Sequence, residues 1–125
     1  MKNFELTQKI IGIAFNVHSN LGPGLLESSY KQCLFYDLKN SGLSVELEKP
    51  VPLIYKNVHL ECGYRIDLLV ENTVVIEIKS VENILPVHLA QVITYLKLGN
   101  FDTGLLMNFN VDKLKNGLRR VYNNK

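Results

Sequence analysis

Tyr64-Arg65-Ile66-Asp67-Leu68-Leu69-Val70, followed after Glu71-Asn72-Thr73 by Val74-Val75-Ile76-Glu77-Ile78-Lys79-Ser80, is the stretch on which the reading of the fold turns. Both runs are rich in β-branched and aliphatic residues, as strands are, and each carries charge where a strand buried on both faces has none. Side chains alternate along a strand, so Ile76 and Ile78 share one face and Glu77 and Lys79 the other. An acid and a base two residues apart on a half-buried strand are costly to desolvate without a partner. A divalent cation is one such partner, with Asp67 on the preceding strand supplying a second carboxylate.

Register decides whether that cluster forms. With Val70 opposite Val74, the odd loop Glu71-Asn72-Thr73 sets Asp67 opposite Glu77, both carboxylates on one face. A two-residue loop at Glu71-Asn72 instead pairs Asp67 with Ile76 and sends the acids to opposite faces. Turn preference slightly favours the tight form. The odd loop, however, gathers Ile66, Leu68, Val70, Val74, Ile76 and Ile78 on one apolar side. A whole face outweighs a turn preference, so the odd loop is expected.

At 125 residues the chain is expected to form one domain, 1–125, around one ordinary core. A hydrophobic fraction of 46% and a charged fraction of 21% are those of a water-soluble globular protein. No run approaches the roughly 18 apolar residues of a membrane span, and Met1-Lys2-Asn3-Phe4-Glu5 lacks the form of a signal peptide. A cytoplasmic location and no membrane partner are therefore expected. Cys33 and Cys62 have no metal-ligand spacing and read as free thiols, small buried apolar side chains in a reducing compartment. Net charge is only +2, yet Lys113, Lys115, Arg119, Arg120 and Lys125 make the end of the sequence basic, with no acid among them. Such an end suits phosphates or, equally, solubility.

Ile10, Ile11, Ala14, Phe15, Val17 and Leu21 form a helical stripe over residues 6–21, with His18 beside it as a packed or capping side chain. Gly22-Pro23-Gly24 ends that helix. A second is expected over 25–40, with Leu26, Tyr30, Cys33, Leu34 and Leu38 inward. Glu27 sits in its first turn, where the macrodipole favours an acid. Residues 43–49 alternate as a half-exposed strand, and Pro50 and Pro52 confine Leu53-Ile54-Tyr55 to an edge. Lys56-Asn57 turns the chain, and one strand runs from His59 through Asp67 to Val70. A crossover helix capped by Asn83, with Pro86 in its first turn, reaches Gly99 and sets His88, Gln91 and Tyr95 on one face. Taken alone, that face is an exposed polar stripe. Residues 103–109 suit a central strand, 112–116 a loop or short helical turn, and 117–122 a last strand. The order α-α-β-β-β-β-α-β-β makes an α/β domain, a mixed β-sheet flanked by helices.

Asp67, then Glu77-Ile78-Lys79 after a nine-residue gap, fits a D…ExK arrangement. Mg2+ is a hard ion that takes carboxylate oxygens at roughly 2.0–2.1 Å and keeps several waters. Asp67, Glu77 and the backbone carbonyl of Ile78 suit one octahedral ion with positions open for a phosphate oxygen and a water. Lys79, one pleat along on the same face, suits orienting the attacking water or stabilising the charged transition state. Such triplets also arise by chance in charged strands.

The residues resemble the PD-(D/E)xK nuclease superfamily. Asp67…Glu77-Ile78-Lys79 lies on a hairpin, after a helix bearing Glu27 and before one bearing Gln91 and Tyr95 in a QxxxY spacing similar to that of the RecB-like branch. Leu21-Gly22-Pro23-Gly24-Leu25-Leu26-Glu27-Ser28-Ser29-Tyr30 further resembles the signature of the GxxExxY protein family in Gly24, Glu27 and Tyr30. The likeness extends through Tyr64-Arg65-Ile66-Asp67, Glu77-Ile78-Lys79-Ser80-Val81 and Pro86-Val87-His88-Leu89-Ala90-Gln91 to Asn108-Phe109, nearly the whole chain. It implies a restriction-endonuclease-like core, metal ligands at Asp67 and Glu77, and an active-site lysine at Lys79. It also implies that Glu27 is the first-helix acid close to the metal, counted with the catalytic residues. Gln91 and Tyr95 would line the site against nucleic-acid backbone, with Tyr30 and His88 as further substrate-binding positions. His18 and His88 fall where the signature has histidine, as partners acting at one remove rather than as ligands. One departure is Ile66, which stands where a proline usually precedes the first Asp; the substitution leaves the metal set intact.

The leading expectation is a phosphodiesterase acting on DNA with Mg2+ or Mn2+. The near-neutral charge gives little phosphate neutralisation, so a homodimer or a partner protein is a natural source of grip on a duplex. A non-catalytic nucleic-acid-binding or adaptor module on the same fold is the alternative. A third reading makes Glu77–Lys79 and Arg65–Asp67 ion pairs on an exposed sheet face, which leaves Glu27, Gln91 and Tyr95 unexplained.

Overall fold

The computed structural model describes residues 3–123. Lys125 of the basic end lies outside them, as do Met1 and Lys2 of the N-terminal stretch. Two helices come first, α1 (Phe4–Leu21) and α2 (Glu27–Asn40), then strands β1 (Val45–Pro50), β2 (Leu53–Tyr55), β3 (Val58–Leu60), β4 (Arg65–Val70) and β5 (Val74–Lys79). Helix α3 (Pro86–Gly99), β6 (Thr103–Asn108), a short 3-10 turn (Leu114–Gly117) and β7 (Leu118–Tyr122) complete the chain. Five strands therefore precede α3 where four were expected. The strand expected from His59 to Val70 is broken at Gly63, whose φ of 78° interrupts an extended run. Its first part pairs with β2 as a separate two-stranded hairpin, turned by the left-handed Lys56 and Asn57.

The main sheet has the order β1-β4-β5-β6-β7. All neighbours are antiparallel except β5 and β6, and a parallel pair needs a long crossover, which α3 provides. Among the described residues no helix is long and apolar enough to cross a membrane.

The hairpin of β4 and β5 takes the odd-loop register, pairing Val70 with Val74, Leu69 with Val75 and Leu68 with Ile76. Glu71 and Asn72 both adopt φ 52°, unusual for glutamate. The loop is clamped to the start of β1: Glu71 N–H donates to Ser44 O at 2.7 Å, and Ser44 N–H donates to Glu71 Oε2 at 2.6 Å.

Helices cover both faces of the sheet. Ile10, Ala14, Val17, Tyr30, Leu34 and Leu38 of α1 and α2 meet Leu68, Val70, Val74, Ile76, Ile78, Leu105 and Met107 on one side. Val92, Tyr95 and Leu96 of α3 meet Ile66, Leu69, Val75 and Leu106 on the other. Strand β5 is consequently buried on both faces rather than half-buried, and Ile66 packs opposite to Leu68 instead of beside it. Asp67 explains that reversal. Glu48, its neighbour on β1, is left-handed at φ 52° and unpaired, and the β5 ladder stops at Leu68–Ile76. Backbone pairing thus lapses on both sides of Asp67, and the strand changes face there.

Several side chains sit differently from the helical stripes drawn in sequence. Leu26 precedes α2 in extended backbone and is 73% exposed. Phe15 and Leu21 lie on the rim of α1, and Cys33 and Cys62 are both exposed free thiols rather than buried ones. The cap of α3 is Leu85, not Asn83; Leu85 N–H donates to His88 Nδ1 at 3.0 Å.

Candidate active site

The site lies where the β4–β5 hairpin opens. Past Leu68–Ile76, carboxylates replace the missing backbone partners: Asp67 N–H donates to Glu77 Oε2 at 2.7 Å, and Ile78 N–H donates to Asp67 Oδ2 at 2.8 Å. The two acids are thus crosswise bonded, each to the opposite strand, and turned to the same place. Glu77 is 3% exposed. Its carboxyl is pushed up to about 8, first by burial and next by the charge of Asp67. Asp67 is also raised, mainly by burial, against the lowering pull of the Ile78 N–H and Lys31. A buried pair of like charges is unfavourable without a cation.

Lys79 and Gln91 make the next contact. Lys79 Nζ donates to Gln91 Oε1 at 3.0 Å, and Gln91 Nε2 donates to the Tyr95 hydroxyl at 3.3 Å. The face of α3 that reads alone as an exposed polar stripe therefore reaches back onto β5. The Tyr95 phenol is raised by burial and by the Glu77 charge, which sets it against the same acids. The reading of Glu77 and Lys79 as members of an exposed ion-paired face fails, because Glu77 is buried and Lys79 donates to Gln91.

Helix α2 brings two charged groups, one turn apart on one face. Glu27 Oε2 accepts from Ser80 N–H at 3.2 Å, and Ser80 Oγ donates to Leu25 O at 2.7 Å. Glu27 thereby anchors the end of β5, and its charge is felt at Asp67. Lys31, not singled out in sequence, lies 3.6 Å from Asp67 Oδ1 and 4.0 Å from Glu48 Oε1. Its four-residue spacing from Glu27 was the available signal.

Two expected substrate contacts have other duties. Tyr30 is fully buried and stacks on Phe109 at 4.6 Å. Its hydroxyl donates to Gly22 O at 2.5 Å and accepts from Leu25 N–H at 3.1 Å, around Gly24 with φ 101°. Tyr30 therefore staples the α1–α2 loop and has no surface left for a ligand. His88 spends Nδ1 on the α3 cap. His18 is buried, and its Nε2 lies 3.1 Å and 2.8 Å from the carbonyls of Phe109 and Val111. Both partners are acceptors, so Nε2 carries the proton.

Among the described residues no group of three or more His, Cys, Asp or Glu side chains stands close enough to hold an ion. The donor set is two carboxylates plus main chain, all oxygen, with Asp67 Oδ1 and Glu77 Oε1 outside the crosswise bonds. Such a set fits Mg2+ or Mn2+, which are held by one or two carboxylates and retain waters. The sequence profile of the PD-(D/E)XK nuclease superfamily matches residues 4–121. The chain belongs to that superfamily. Its mixed five-stranded sheet with helices on both faces is the restriction-endonuclease-like core of PD-(D/E)XK proteins, and membership points to nuclease activity. No curated protein and no solved structure matches the chain.

Proposed function

We propose that the chain is a nuclease that hydrolyses phosphodiester bonds in DNA with Mg2+ or Mn2+. The observation that carries this reading is the crosswise-bonded pair Asp67 and Glu77 at the opening of the hairpin. Asp67 and Glu77, with the Ile78 carbonyl, would hold the ion. When bound, the ion neutralises charge at phosphorus and lowers the pKa of water. Burial keeps both carboxylates under-solvated, which strengthens their attraction for a cation. Lys79 places a positive charge beside them to orient the attacking water, and Gln91 fixes that amine so that no rotamer search precedes the step. Glu27 holds the Ser80 end of β5 and adds negative field at Asp67.

Finer placement follows the same residues. Gly24, Glu27 and Tyr30 support a place in the GxxExxY family, because each has a separate physical task in one loop and its anchor. Gln91 and Tyr95, tied to Lys79, support the RecB-like branch. The profile match over almost all of 1–125 supports a single nuclease domain, and the exposed thiols Cys33 and Cys62, without a disulfide, suit the reducing cytoplasm. A second copy or a partner protein would supplement the weak net charge in gripping a duplex.

Calorimetric titration of Mn2+ or Mg2+ into wild type and Glu77→Ala, with cleavage assays on single-stranded, duplex and branched DNA, tests the reading. Metal binding and cleavage by wild type, both lost in Glu77→Ala, are expected. Metal affinity with no cleavage of any substrate would favour the adaptor alternative, and no metal affinity at all would end the proposal.

A further inference from the structure

Beside the acids, between α3 and the β2–β3 hairpin, runs a groove of about 290 Å3. Leu53, Tyr64, Val87, Ala90, Gln91 and Tyr95 are among the residues that line it. Its size is near the roughly 300 Å3 lower bound of small-ligand clefts. None of its lining residues is charged, so it sets no fixed positive charge against a phosphate. It offers much to a flat, apolar-faced ring: Tyr64 is 46% exposed and stands edge-on to Tyr95, with ring centroids 6.5 Å apart, and Val87 is 64% exposed.

The groove is continuous with the candidate site. Gln91 and Tyr95 line it and, through the Lys79–Gln91–Tyr95 hydrogen bonds, also belong to the catalytic cluster. Tyr64 lies three residues before Asp67 on the same segment. A strand whose phosphate meets Asp67 and Glu77 thus has an adjoining base within reach of Tyr64.

We infer that this groove takes one unpaired nucleobase next to the scissile phosphate, with Tyr64 as its stacking surface, so that the substrate is single-stranded or locally unstacked nucleic acid. The inference rests on the nuclease reading. Aromatic stacking tolerates any base because every base has a π-face, so the groove selects for strandedness rather than for sequence. A base held in a duplex cannot enter without being extruded, which costs unpairing and unstacking energy.

The test measures binding by fluorescence anisotropy with chelator present, so that no metal-dependent cleavage intervenes. The ligands are a short single-stranded DNA, its blunt duplex, and single strands with one abasic position moved along the sequence. Wild type should prefer the single strand to the duplex. Tyr64→Ala should weaken single-strand binding by about tenfold, the scale of one lost stacking contact, and leave duplex binding within about twofold. Tyr64→Phe should retain wild-type affinity. One abasic position should reproduce the loss in wild type and cost nothing further in Tyr64→Ala, because the two changes remove the same contact. Thermal melts of Tyr64→Ala should match wild type, since the side chain is half exposed.

Equal weakening of single strand and duplex, or additive abasic and Tyr64→Ala losses, would overturn the inference. So would a self-associated protein that dissociates on Tyr64→Ala, because the groove would then hold a second copy. A parallel cleavage assay with Mg2+ separates the two claims. Cleavage without the stacking pattern removes only the base site, and the stacking pattern without cleavage removes only the catalytic reading. Absence of both removes both.

Discussion

The two ends of the β4–β5 hairpin are built from the same strands and behave as opposites. At the closed end Val70 faces Val74 and Leu68 faces Ile76, with backbone bonds throughout and fully buried apolar side chains on both strands. At the open end the ladder stops, and Asp67 and Glu77 take over the vacated N–H groups. The closed end contributes stability by burying surface. The open end gives up ladder bonds and buries two acids instead. A sheet that paired to its tip would be firmer and would have nowhere to put an ion. The candidate site is, physically, a place where strand pairing has been traded for convergent charge.

Removing the charge gives the largest expected effect. Glu77→Gln should lower metal affinity, read by calorimetry, by more than the roughly 10–100-fold that loss of an outer partner costs, and should abolish cleavage. Lys79→Ala comes next. It should cut kcat by on the order of 10²–10³-fold, as loss of one group stabilising a transition state does, with metal affinity retained. A parallel loss of metal affinity would show that Lys79 shapes the acids rather than the reaction.

Leu68→Ala probes the last closed rung. It should destabilise the fold by about 2–5 kcal/mol in urea titrations and leave metal affinity, measured on the folded fraction, intact. Proton linkage sharpens the contrast further. The Glu77 carboxyl is raised from 4.5 to about 8, so the folded chain holds that proton more tightly than the unfolded chain. Below about 4.5 both states are protonated and nothing is lost. Between there and about 8 only the unfolded chain releases the proton, so metal-free stability falls as pH rises and stays low above that window. The raised Asp67 acts in the same direction. Unfolding measured across this range should slope downward in wild type and flatten in Glu77→Gln, and saturating Mn2+ should restore stability at the alkaline end. The smallest effect belongs to Lys31→Met, which removes an ammonium 3.6 Å from Asp67 Oδ1. Metal should then bind about tenfold tighter, a fraction of the repulsion between like charges at such distances.

Much of this hairpin was legible in the sequence because register obeys a period of two: gathering the aliphatic residues of both runs on one side required Val70 opposite Val74. The same logic failed at Ile66. Alternation assumes an unbroken ladder, and the left-handed Glu48 together with the lapsed pairing at Asp67 breaks it. The double-sided burial of β5 was hidden for a related reason. Glu77 and Lys79 read as the second face of a half-buried strand, whereas α3 covers that face and Gln91 supplies a polar partner to Lys79. The spacing of Lys31 from Glu27 marks a shared helix face, but its contact with Asp67 depends on how α2 lies over β4, a tertiary fact. Tyr30 stands out in sequence by its place in a signature and on the inner side of its helix, but its stapling of the Gly22–Leu25 turn emerges only in the folded loop.

The crosswise bonds of Asp67 and Glu77 make the length of each side chain matter. Each carboxylate grips the main chain of the other's strand, so lengthening Asp67 by a methylene would dislodge the amide of Ile78, and shortening Glu77 would release that of Asp67. The two bonds close one joint between the same strands, so a double substitution should depart from the sum of the single ones in unfolding free energy.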